Sequence, residues 1–269
     1  MSEKAAKQRL DILLVERGFF SGRDRAKAAV MAGEVLIDGQ PAQKAGDAVP
    51  VDCEISVRES LRYVSRGGLK LEKALAVFPI EMQGKTVLDI GSSTGGFVDC
   101  ALQNGAAHVI SVDVGYGQLA WKLRNDERVS VWEKTNARYL TEEQVPNPVD
   151  IVTVDASFIS LAKVLECPLR FLKPQGELAA LIKPQFEAGR EKIGKKGVVR
   201  DKATHIEVIE KVVSQMQAMS MSVQALDFSP ITGPEGNIEY LLYAVKSDAP
   251  SAEFDIPALV DAAWQSHGK

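Results

Sequence analysis

The sequence predicts an α/β protein with a Rossmann-like, seven-stranded sheet and a small N-terminal α+β domain. From residue 86 onward, apolar strand-like runs alternate with helical patterns, which is typical of a parallel α/β sheet. The first 59 residues instead combine two short helical patterns with β-turn signals. We therefore expect a first domain over residues 1–60, a linker over residues 61–68 and a larger domain over residues 69–269.

Two helical patterns open the N-terminal domain. The run RLDILLVER at 9–17 has leucines at helical spacing and is followed by a glycine that can end a helix. A second helix is predicted over residues 21–33. Its Arg23 and Lys27 share one face, and Arg25 lies on another.

Short strands follow the two helices. The run Val-Leu-Ile at 35–37 and the turn Asp-Gly at 38–39 predict a hairpin, and the alternating residues 49–57 predict one further strand. Two glycines near residue 68 interrupt the pattern, and we expect a helix over residues 69–78 after them.

The larger domain alternates strands and helices. Strands are predicted at 86–90, 108–113, 129–132, 151–155, 178–182, 222–228 and 238–245. Helices are predicted at 96–104, 161–172, 203–219 and 256–267.

Composition excludes several classes of protein. Of the 269 residues, 45% are hydrophobic and 25% are charged, so the chain can bury a core. No apolar run approaches the roughly 18–20 residues that cross a membrane, and residues 1–10 lack the apolar segment of a secretory signal, so we expect a cytosolic protein. Cys53, Cys100 and Cys167 are widely spaced without a CxxC pair, which favours neither a disulfide framework nor a metal site.

Charge is distributed unevenly along the chain. The net charge is -4, which argues against a uniformly basic nucleic-acid binder. Residues 1–27 nevertheless carry seven basic and four acidic side chains, and residues 189–202 carry six basic and two acidic ones. The first segment fits a small RNA-contacting module, and we interpret the second as a mobile basic flap that contacts phosphates.

A glycine-rich turn follows the first strand of the larger domain. In VLDIGSSTGGF (87–97), the strand leads into the turn and then into a helix whose N-terminus faces a ligand. The turn does not match the dinucleotide-binding fingerprint, because Ser93 replaces the middle glycine between Gly91 and Gly96. It does not match a P-loop either, because no Gly-Lys-Ser/Thr sequence follows. The turn therefore predicts a nucleoside ligand without a pyrophosphate.

Acidic residues specify that ligand further. Asp89 precedes the turn and suits an ammonium group, while Asp113 ends the second strand and can accept both ribose hydroxyls. Asn136 can contact an adenine edge, and Asp155 ends the fourth strand. A cationic amino group, a ribose and no phosphate together predict S-adenosyl-L-methionine. The expected cofactor-binding residues are Asp89, Gly91, Ser93, Gly95, Gly96, Phe97, Asp113, Asn136 and Asp155.

Four ionisable residues meet at the same sheet edge by topology. Asp155 and Lys183 end two strands, Glu239 begins a strand that we expect to be antiparallel, and Lys70 lies near the start of the helix before the first strand. We expect these four side chains to form a catalytic group.

Six motifs carry a family resemblance. SRGGLKL, VLDIGSSTGGF, VDASFISL, LIKPQFE, GVVRD and NIEYLL together resemble the TlyA or hemolysin-A-like family, over about residues 9–245. The stretch before them resembles the small αL RNA-binding fold of a ribosomal protein, tyrosyl-tRNA synthetases and pseudouridine synthases. Arg62-Tyr63-Val64 is similar to the basic-aromatic-Val linker of the family, with Tyr63 where Trp occurs elsewhere.

The resemblance implies a ribosomal RNA 2′-O-ribose methyltransferase with an FtsJ-like catalytic domain. Its Lys–Asp–Lys–Glu tetrad maps onto Lys70, Asp155, Lys183 and Glu239. We hypothesise that a desolvated Lys183 accepts or steers the 2′-hydroxyl proton. Asp155 and Glu239 would position the lysine and the ribose. Lys70 would organise the 2′-oxygen or a nearby phosphate. The expected partner is ribosomal RNA or a ribosomal subunit, and the expected target is the ribose of a cytidine. The expected RNA-binding residues are Arg9, Arg23, Arg25, Lys27, Arg66, Lys192, Lys195 and Lys196.

Three alternatives remain open at this point. The chain could be a non-catalytic RNA-binding or ribosome-assembly factor, a small-molecule methyltransferase or a membrane-active hemolysin. The complete tetrad argues against the first, the N-terminal module against the second, and the missing export signal and amphipathic helix against the third.

Overall fold

The computed structural model describes residues 6–31, 33–57, 62–194 and 197–268. The chain divides into two compact units, Met1–Arg62 and Tyr63–Lys269. No helix among the described residues combines the length and apolar character that crossing a bilayer requires.

The first unit is an α+β domain with two helices and two small sheets. Its elements are β1 (Lys7–Arg9), α1 (Leu10–Glu16), α2 (Arg23–Met31), β2 (Val35–Ile37), β3 (Gln40–Pro41), β4 (Ala48–Pro50) and β5 (Ile55–Val57). Strands β1 and β4 pair with each other, and β2 lies between β3 and β5. The leucines of α1 pack against Ala26 and Val30 of α2, as the helical spacing predicts.

The predicted hairpin is confirmed, but the predicted strand after it is wrong. Asp38 and Gly39 both adopt positive φ angles of 48° and 77°, which a two-residue turn of type I′ requires. Residues 49–57 do not form one strand, because a turn at 51–52 separates β4 from β5, and these two strands belong to different sheets.

The second unit contains the large sheet. Its elements are α3 (Gly67–Val77), β6 (Thr86–Ile90), α4 (Gly96–Gln103), β7 (His108–Val112), α5 (Trp121–Arg124), β8 (Val129–Trp132), β9 (Val149–Val154), α6 (Leu161–Leu165), β10 (Leu172–Ile182), α7 (Pro184–Glu187), α8 (Lys202–Ala218), β11 (Met221–Phe228), β12 (Tyr240–Lys246) and α9 (Ile256–Ser266).

The seven strands lie in the order β11-β12-β10-β9-β6-β7-β8. Strands β10, β9, β6, β7 and β8 are parallel, and β12 is antiparallel to both of its neighbours, as expected. Successive residues of β6 face opposite cores: Val87 packs in the core with α3 and α4, and Leu88 packs in the core with α6, α8 and α9. The predicted seven-stranded α/β fold is confirmed.

Several predicted boundaries differ from those of the structure, some of them for clear local reasons. Helix α6 ends at Leu165 rather than at 172, because Pro168 interrupts the helical pattern, and β10 instead begins at Leu172. Helix α3 includes the two glycines that were expected to precede it. The bare Cα of Gly68 allows the Tyr63 ring to pack there, since an added Cβ would lie 2.3 Å from that ring.

Candidate active site

The glycine-rich turn between β6 and α4 follows the carboxyl end of a central strand. Gly91 and Gly95 have φ angles of 82° and 96°, a region that favours glycine. A Cβ on Gly91 would lie 2.9 Å from the carbonyl oxygen of Asp155, and one on Gly96 would lie 2.5 Å from Ser65 Oγ. Ser93, in place of the middle glycine, also adopts a positive φ of 48°. These glycines thus allow neighbouring backbone to approach the turn closely.

Asp89 is a buried carboxylate just before the turn. Its Oδ1 accepts a 2.6 Å hydrogen bond from Thr153 Oγ1, while its buried Oδ2 has no hydrogen-bond partner among the described residues. Burial raises the pKa of Asp89 to about 7, although the Thr153 hydrogen bond opposes the shift. An unpaired buried carboxylate oxygen is suited to a cationic group, because such a partner favours the charged form.

Asp113 was predicted to end the second strand and instead comes directly after it, since β7 ends at Val112. Its Oδ2 accepts the Ser93 N–H at 2.8 Å and its Oδ1 accepts the Gly115 N–H at 2.6 Å. Asp113 therefore shapes the turn in this structure, and its carboxylate oxygens retain further lone pairs for hydroxyl donors.

Two other expected cofactor residues have structural roles. Phe97 is buried among the apolar side chains of α3 and α4, so only its backbone could reach a ligand. Asn136 is exposed, and its Oδ1 accepts the Arg138 N–H at 3.1 Å to begin a short 3₁₀ helix.

The four predicted catalytic residues lie together. Lys70 Nζ, on α3, is 2.6 Å from Glu239 Oε2 and 3.6 Å from Asp155 Oδ2. Burial disfavours the charged form of Lys70, but the Asp155 and Glu239 carboxylates outweigh that effect and raise its pKa above the ordinary value. Lys70 is therefore an ammonium held between two carboxylates.

Lys183 completes the group from the end of β10. Its Nζ lies 2.5 Å from Asp155 Oδ1 and donates a 3.1 Å hydrogen bond to Ser157 Oγ. Asp155 is the most accessible member, with 21% of its side chain exposed against 2–9% for the other three. Asp155 thus bridges the two lysines at the accessible side of the tetrad.

Glu239 immediately precedes β12 and is fixed from two sides. Its Oε2 contacts Lys70, and its Oε1 accepts a 3.3 Å hydrogen bond from Gln185 Nε2. A Cβ on Gly233 would lie 2.7 Å from Oε1, so glycine makes room for the carboxylate. Among the described residues, no group of three or more His, Cys, Asp or Glu side chains could hold a metal ion.

Phe158 was missed by the sequence analysis. It lies three residues after Asp155, and 90% of it is exposed. Its φ of 66° is an outlier for a bulky residue, and its ring is 5.1 Å from that of Phe186. No periodic pattern marks such a residue, but an aromatic side chain three residues after the predicted catalytic carboxylate Asp155 was a usable signal.

The segment before α3 packs on the turn of this unit. Asp99 of α4 accepts the Val64 N–H at 2.8 Å and forms an ion pair with Lys122 at 2.9 Å. Val64 lies 3.7 Å from the position of a Cβ on Gly95. The predicted linker residues 63–68 are therefore in contact with the glycine-rich turn.

The expected RNA-binding residues of the first unit differ in their surroundings. Arg9 and Arg23 both contact the buried carboxylate of Asp11, at 3.0 and 2.7 Å. Lys27 lies 3.5 Å from Asp24, and Arg25 is exposed and forms no ion pair within the described part of the chain.

The expected RNA-binding residues of the second unit are similarly varied. Arg66 is exposed at the start of α3. Lys192 forms an ion pair with Glu207 of α8. Lys195 and Lys196 lie outside the described residues.

The described parts of the basic segment are anchored rather than free. Val198 and Val199 are buried. The Asn237 side chain accepts the Val199 N–H at 3.1 Å and donates to the Gly197 carbonyl at 2.9 Å. His205 Nε2 contacts the Val199 carbonyl at 3.2 Å. These contacts hold residues 197–199 in place in this structure, and the interpretation of the segment as a mobile flap stays a prediction.

Comparison with protein families assigns both units. The sequence model described as FtsJ-like methyltransferase matches residues 63–246, and that described as S4 domain matches residues 8–55.

Individual relatives cover nearly the whole chain. "Putative rRNA methyltransferase YqxC" of Bacillus subtilis is 52% identical over 88% of this chain and 85% of its own length. The 16S/23S rRNA (cytidine-2′-O)-methyltransferase TlyA of Mycobacterium tuberculosis is 44% identical over 89% of this chain and 90% of its own. A solved structure described as "Putative hemolysin from Streptococcus thermophilus" is 44% identical, covers 98% of both chains and has a TM-score of 0.76.

Proposed function

Because the chain belongs to the family of FtsJ-like methyltransferases and carries an S4 domain, we propose that it methylates a ribose 2′-hydroxyl of cytidine in ribosomal RNA. The observation that carries this proposal is the tetrad of Lys70, Asp155, Lys183 and Glu239 at one edge of the sheet. The target base and RNA class follow from the names of the relatives, which include a cytidine-2′-O-methyltransferase of rRNA. We place the protein in the cytoplasm, where that RNA is found.

The residues of the glycine-rich turn fit S-adenosyl-L-methionine. The unpaired Oδ2 of Asp89 suits the amino group, Asp113 has lone pairs left for ribose hydroxyls, and Asn136 would contact the adenine. The rest of the cofactor would lie against the backbone of the glycine-rich turn, at Gly91, Ser93, Gly95, Gly96 and Phe97. Bound there, the cofactor supplies an electrophilic methyl group.

The tetrad supports methyl transfer to a weakly acidic hydroxyl. A ribose 2′-hydroxyl must lose its proton as it attacks, so a lysine nitrogen close to it can accept or steer that proton. Lys183 is the lysine next to the accessible Asp155 carboxylate, and Lys70 is confined between two carboxylates. We therefore assign proton handling to Lys183 and positioning to Asp155, Glu239 and Lys70. Much of the rate acceleration comes from orientation.

RNA contact is divided between the two units. We propose domain limits of 1–60 and 69–269 around a linker at 61–68, with the first domain binding RNA through Arg9, Arg23, Arg25 and Lys27. Phosphate contacts of this kind give position rather than sequence. In the second domain, Arg66, Lys192, Lys195 and Lys196 would contact the backbone. The exposed ring of Phe158 is available to stack on an unpaired base.

The test is methyl transfer from labelled S-adenosyl-L-methionine to separated ribosomal subunits from a strain that lacks this gene. We expect label in rRNA of at least one subunit, at a cytidine ribose. The Lys183→Ala protein should lose transfer and keep cofactor binding, measured by calorimetry. Deletion of residues 1–60 should abolish transfer to RNA and leave cofactor binding in place.

Other outcomes would identify the alternatives. Cofactor binding without label in either subunit would contradict methylation of rRNA and favour a non-catalytic assembly factor. Full activity of Lys183→Ala would contradict the role of Lys183. Full activity of the deletion variant would favour a small-molecule substrate. Lysis of membranes by the purified protein would support the hemolysin description that several relatives carry.

A further inference from the structure

A small cavity beside the tetrad is lined by Lys183 and by one ionisable residue outside the tetrad, Glu187. Its walls are mostly apolar, formed by Val154, Leu161, Val164 and Leu181, but Lys183 and Glu187 both line it. The four-residue helix α7 brings Glu187 to this cavity, one turn after Lys183. The cavity has room for about one water molecule, and it offers polar groups that could bind it.

Glu187 is a buried carboxylate with one oxygen that accepts no hydrogen bond from the described residues. Its side chain is 2% exposed, and its Oε1 accepts the Leu161 N–H at 2.5 Å. Its buried Oε2 has no hydrogen-bond partner among the described residues. The nearest ammonium is Lys211 Nζ of α8, at 3.8 Å, and that side chain is 47% exposed.

The charge around Glu187 leaves it able to accept a proton. Lys211 on α8 and Lys183 at the end of β10 are the charged groups that the structure places beside it. Burial raises the pKa of Glu187, and the hydrogen bond from the Leu161 N–H and the charge of Lys211 only partly oppose that shift. A raised pKa makes this carboxylate a better proton acceptor than an exposed glutamate.

Methyl transfer to a hydroxyl releases one proton, and the tetrad has no free carboxylate to take it. Asp155 contacts both lysines, and Glu239 accepts from Lys70 and Gln185. A proton on Lys183 therefore needs a further acceptor, and the cavity joins Lys183 to Glu187.

Resting on the proposed function, we propose that Glu187 is a positioning residue that receives the reaction proton from Lys183 through a water molecule. First, Lys183 gives one ammonium proton through the water to Glu187 Oε2, which frees the nitrogen lone pair. The 2′-oxygen then bonds to the methyl carbon, the methyl–sulfur bond breaks with its electron pair on sulfur, and the 2′-hydroxyl proton passes to Lys183. Glu187 finally releases its proton to solvent past Lys211.

The variant Glu187→Gln tests this relay. Glutamine keeps the acceptor for the Leu161 N–H but cannot take up a proton. We expect the single-turnover rate of methyl transfer to fall at least about tenfold, with an increased solvent deuterium isotope effect and unchanged cofactor affinity. The matched control is Glu177→Gln in the middle of β10, where glutamine can still accept the 2.7 Å hydrogen bond of Tyr243. That control should keep the wild-type rate.

A second variant keeps Glu187 and changes its surroundings. Lys211→Met removes the ammonium at 3.8 Å, so the carboxyl loses a favourable charge and its pKa rises further. The acid limb of the pH–rate profile should therefore move to higher pH. An unmoved limb, or Glu187→Gln with the wild-type rate and isotope effect at every pH, would overturn the relay. Absence of methyl transfer by the wild-type protein would instead overturn the proposed function.

Discussion

Asp11 in the first unit and Glu239 in the second are both buried carboxylates with basic partners, yet the partners differ in kind and in exposure. Asp11 accepts hydrogen bonds from Arg9 and Arg23, whose side chains are each 50% exposed. Glu239 contacts Lys70, which is 9% exposed. The arginines thus keep part of their hydration, whereas in the second unit both ions lose most of theirs. A fully buried pair recovers less of its desolvation cost, so the tetrad is poorly explained by stability alone.

The two buried carboxylates also differ in the type of basic residue beside them, which is arginine at Asp11 and lysine at Glu239. Arginine stays protonated in proteins, so the Arg9–Asp11–Arg23 group can fix a strand beside a helix but cannot exchange a proton. Lysine can lose its proton when its surroundings favour the neutral amine. The first unit therefore uses its buried charge to hold the fold together, and under the proposed function the second unit places buried charge beside Lys183, the residue that would handle the proton.

Lys70→Met gives the largest expected effect. The variant leaves the Glu239 carboxylate buried without its ammonium, which should lower the free energy of unfolding by about 3–5 kcal/mol. The double variant Lys70→Met/Glu239→Leu removes both charges and should recover most of that loss. Both proteins should have lost methyl transfer. Denaturant unfolding followed by tryptophan fluorescence reports the second unit, because Trp121, Trp132 and Trp264 all lie there.

The control for this pair lies on the same helix. Lys73 contacts Asp227 at 2.9 Å with both side chains 22% exposed, so Lys73→Met should cost less than Lys70→Met and leave transfer intact. If the double variant is as unstable as the single one, or still methylates RNA, the distinction between the two buried groups is wrong.

Asp11→Asn should have a smaller effect, because the two arginines it leaves behind can still be hydrated. We expect the free energy of unfolding of the first unit to fall by about 1.5–3 kcal/mol, the value of hydrogen bonds to charged groups. Amide hydrogen exchange of residues 10–16 in the full chain measures it. Asp24→Asn is the exposed control, since its pair with Lys27 at 3.5 Å is worth about 0–1 kcal/mol. A loss as large as that of Lys70→Met would contradict the comparison.

The Asp11 group also predicts a pH dependence. Hydrogen bonds from Arg9 and Arg23 hold the pKa of Asp11 well below its usual range. Since the folded-state pKa is lower than the unfolded value of about 3.9, the stabilisation is complete above that value and is lost as the pH falls below it. Hydrogen exchange of residues 10–16 between pH 5 and pH 2 should show this loss in the wild-type protein and not in Asp11→Asn.

The sequence predicted the strands and the tetrad because both depend on local pattern and topology. Strands 86–90 and 129–132 have the same bounds in the structure, since each is a short, mostly apolar and β-branched segment between polar residues. The juxtaposition of Lys70, Asp155, Lys183 and Glu239 follows once the parallel strands and one antiparallel strand share a sheet edge. Which residues act in catalysis is a separate question, and that assignment remains a proposal.

Features that depend on tertiary contacts could not be predicted. Glu187 looks like any surface carboxylate in the sequence, and only the packing of α6 against α7 and α8 buries it. Nothing in the sequence shows that Asp11 lies between Arg9 and Arg23, so the ion pairs of these two predicted RNA ligands could not be predicted. The turn that splits residues 49–57 was hidden by their regular alternation.

Phe158→Gly gives the smallest expected change in stability. It extends the comparison to an exposed position of the second unit, where the native residue lowers stability. The φ of 66° strains a phenylalanine but not a glycine, so the free energy of unfolding should rise by up to about 1 kcal/mol. Loss of the ring should weaken rRNA binding by about 1–3 kcal/mol if one base stacks on it. Phe158→Tyr keeps a stacking surface and the strained backbone, so it should bind RNA like the wild type with no gain in stability. Chemical denaturation measures the free energy of unfolding, and filter binding measures the affinity for rRNA. A glycine variant that binds rRNA as tightly as the wild type would show that the exposed ring has no part in substrate recognition.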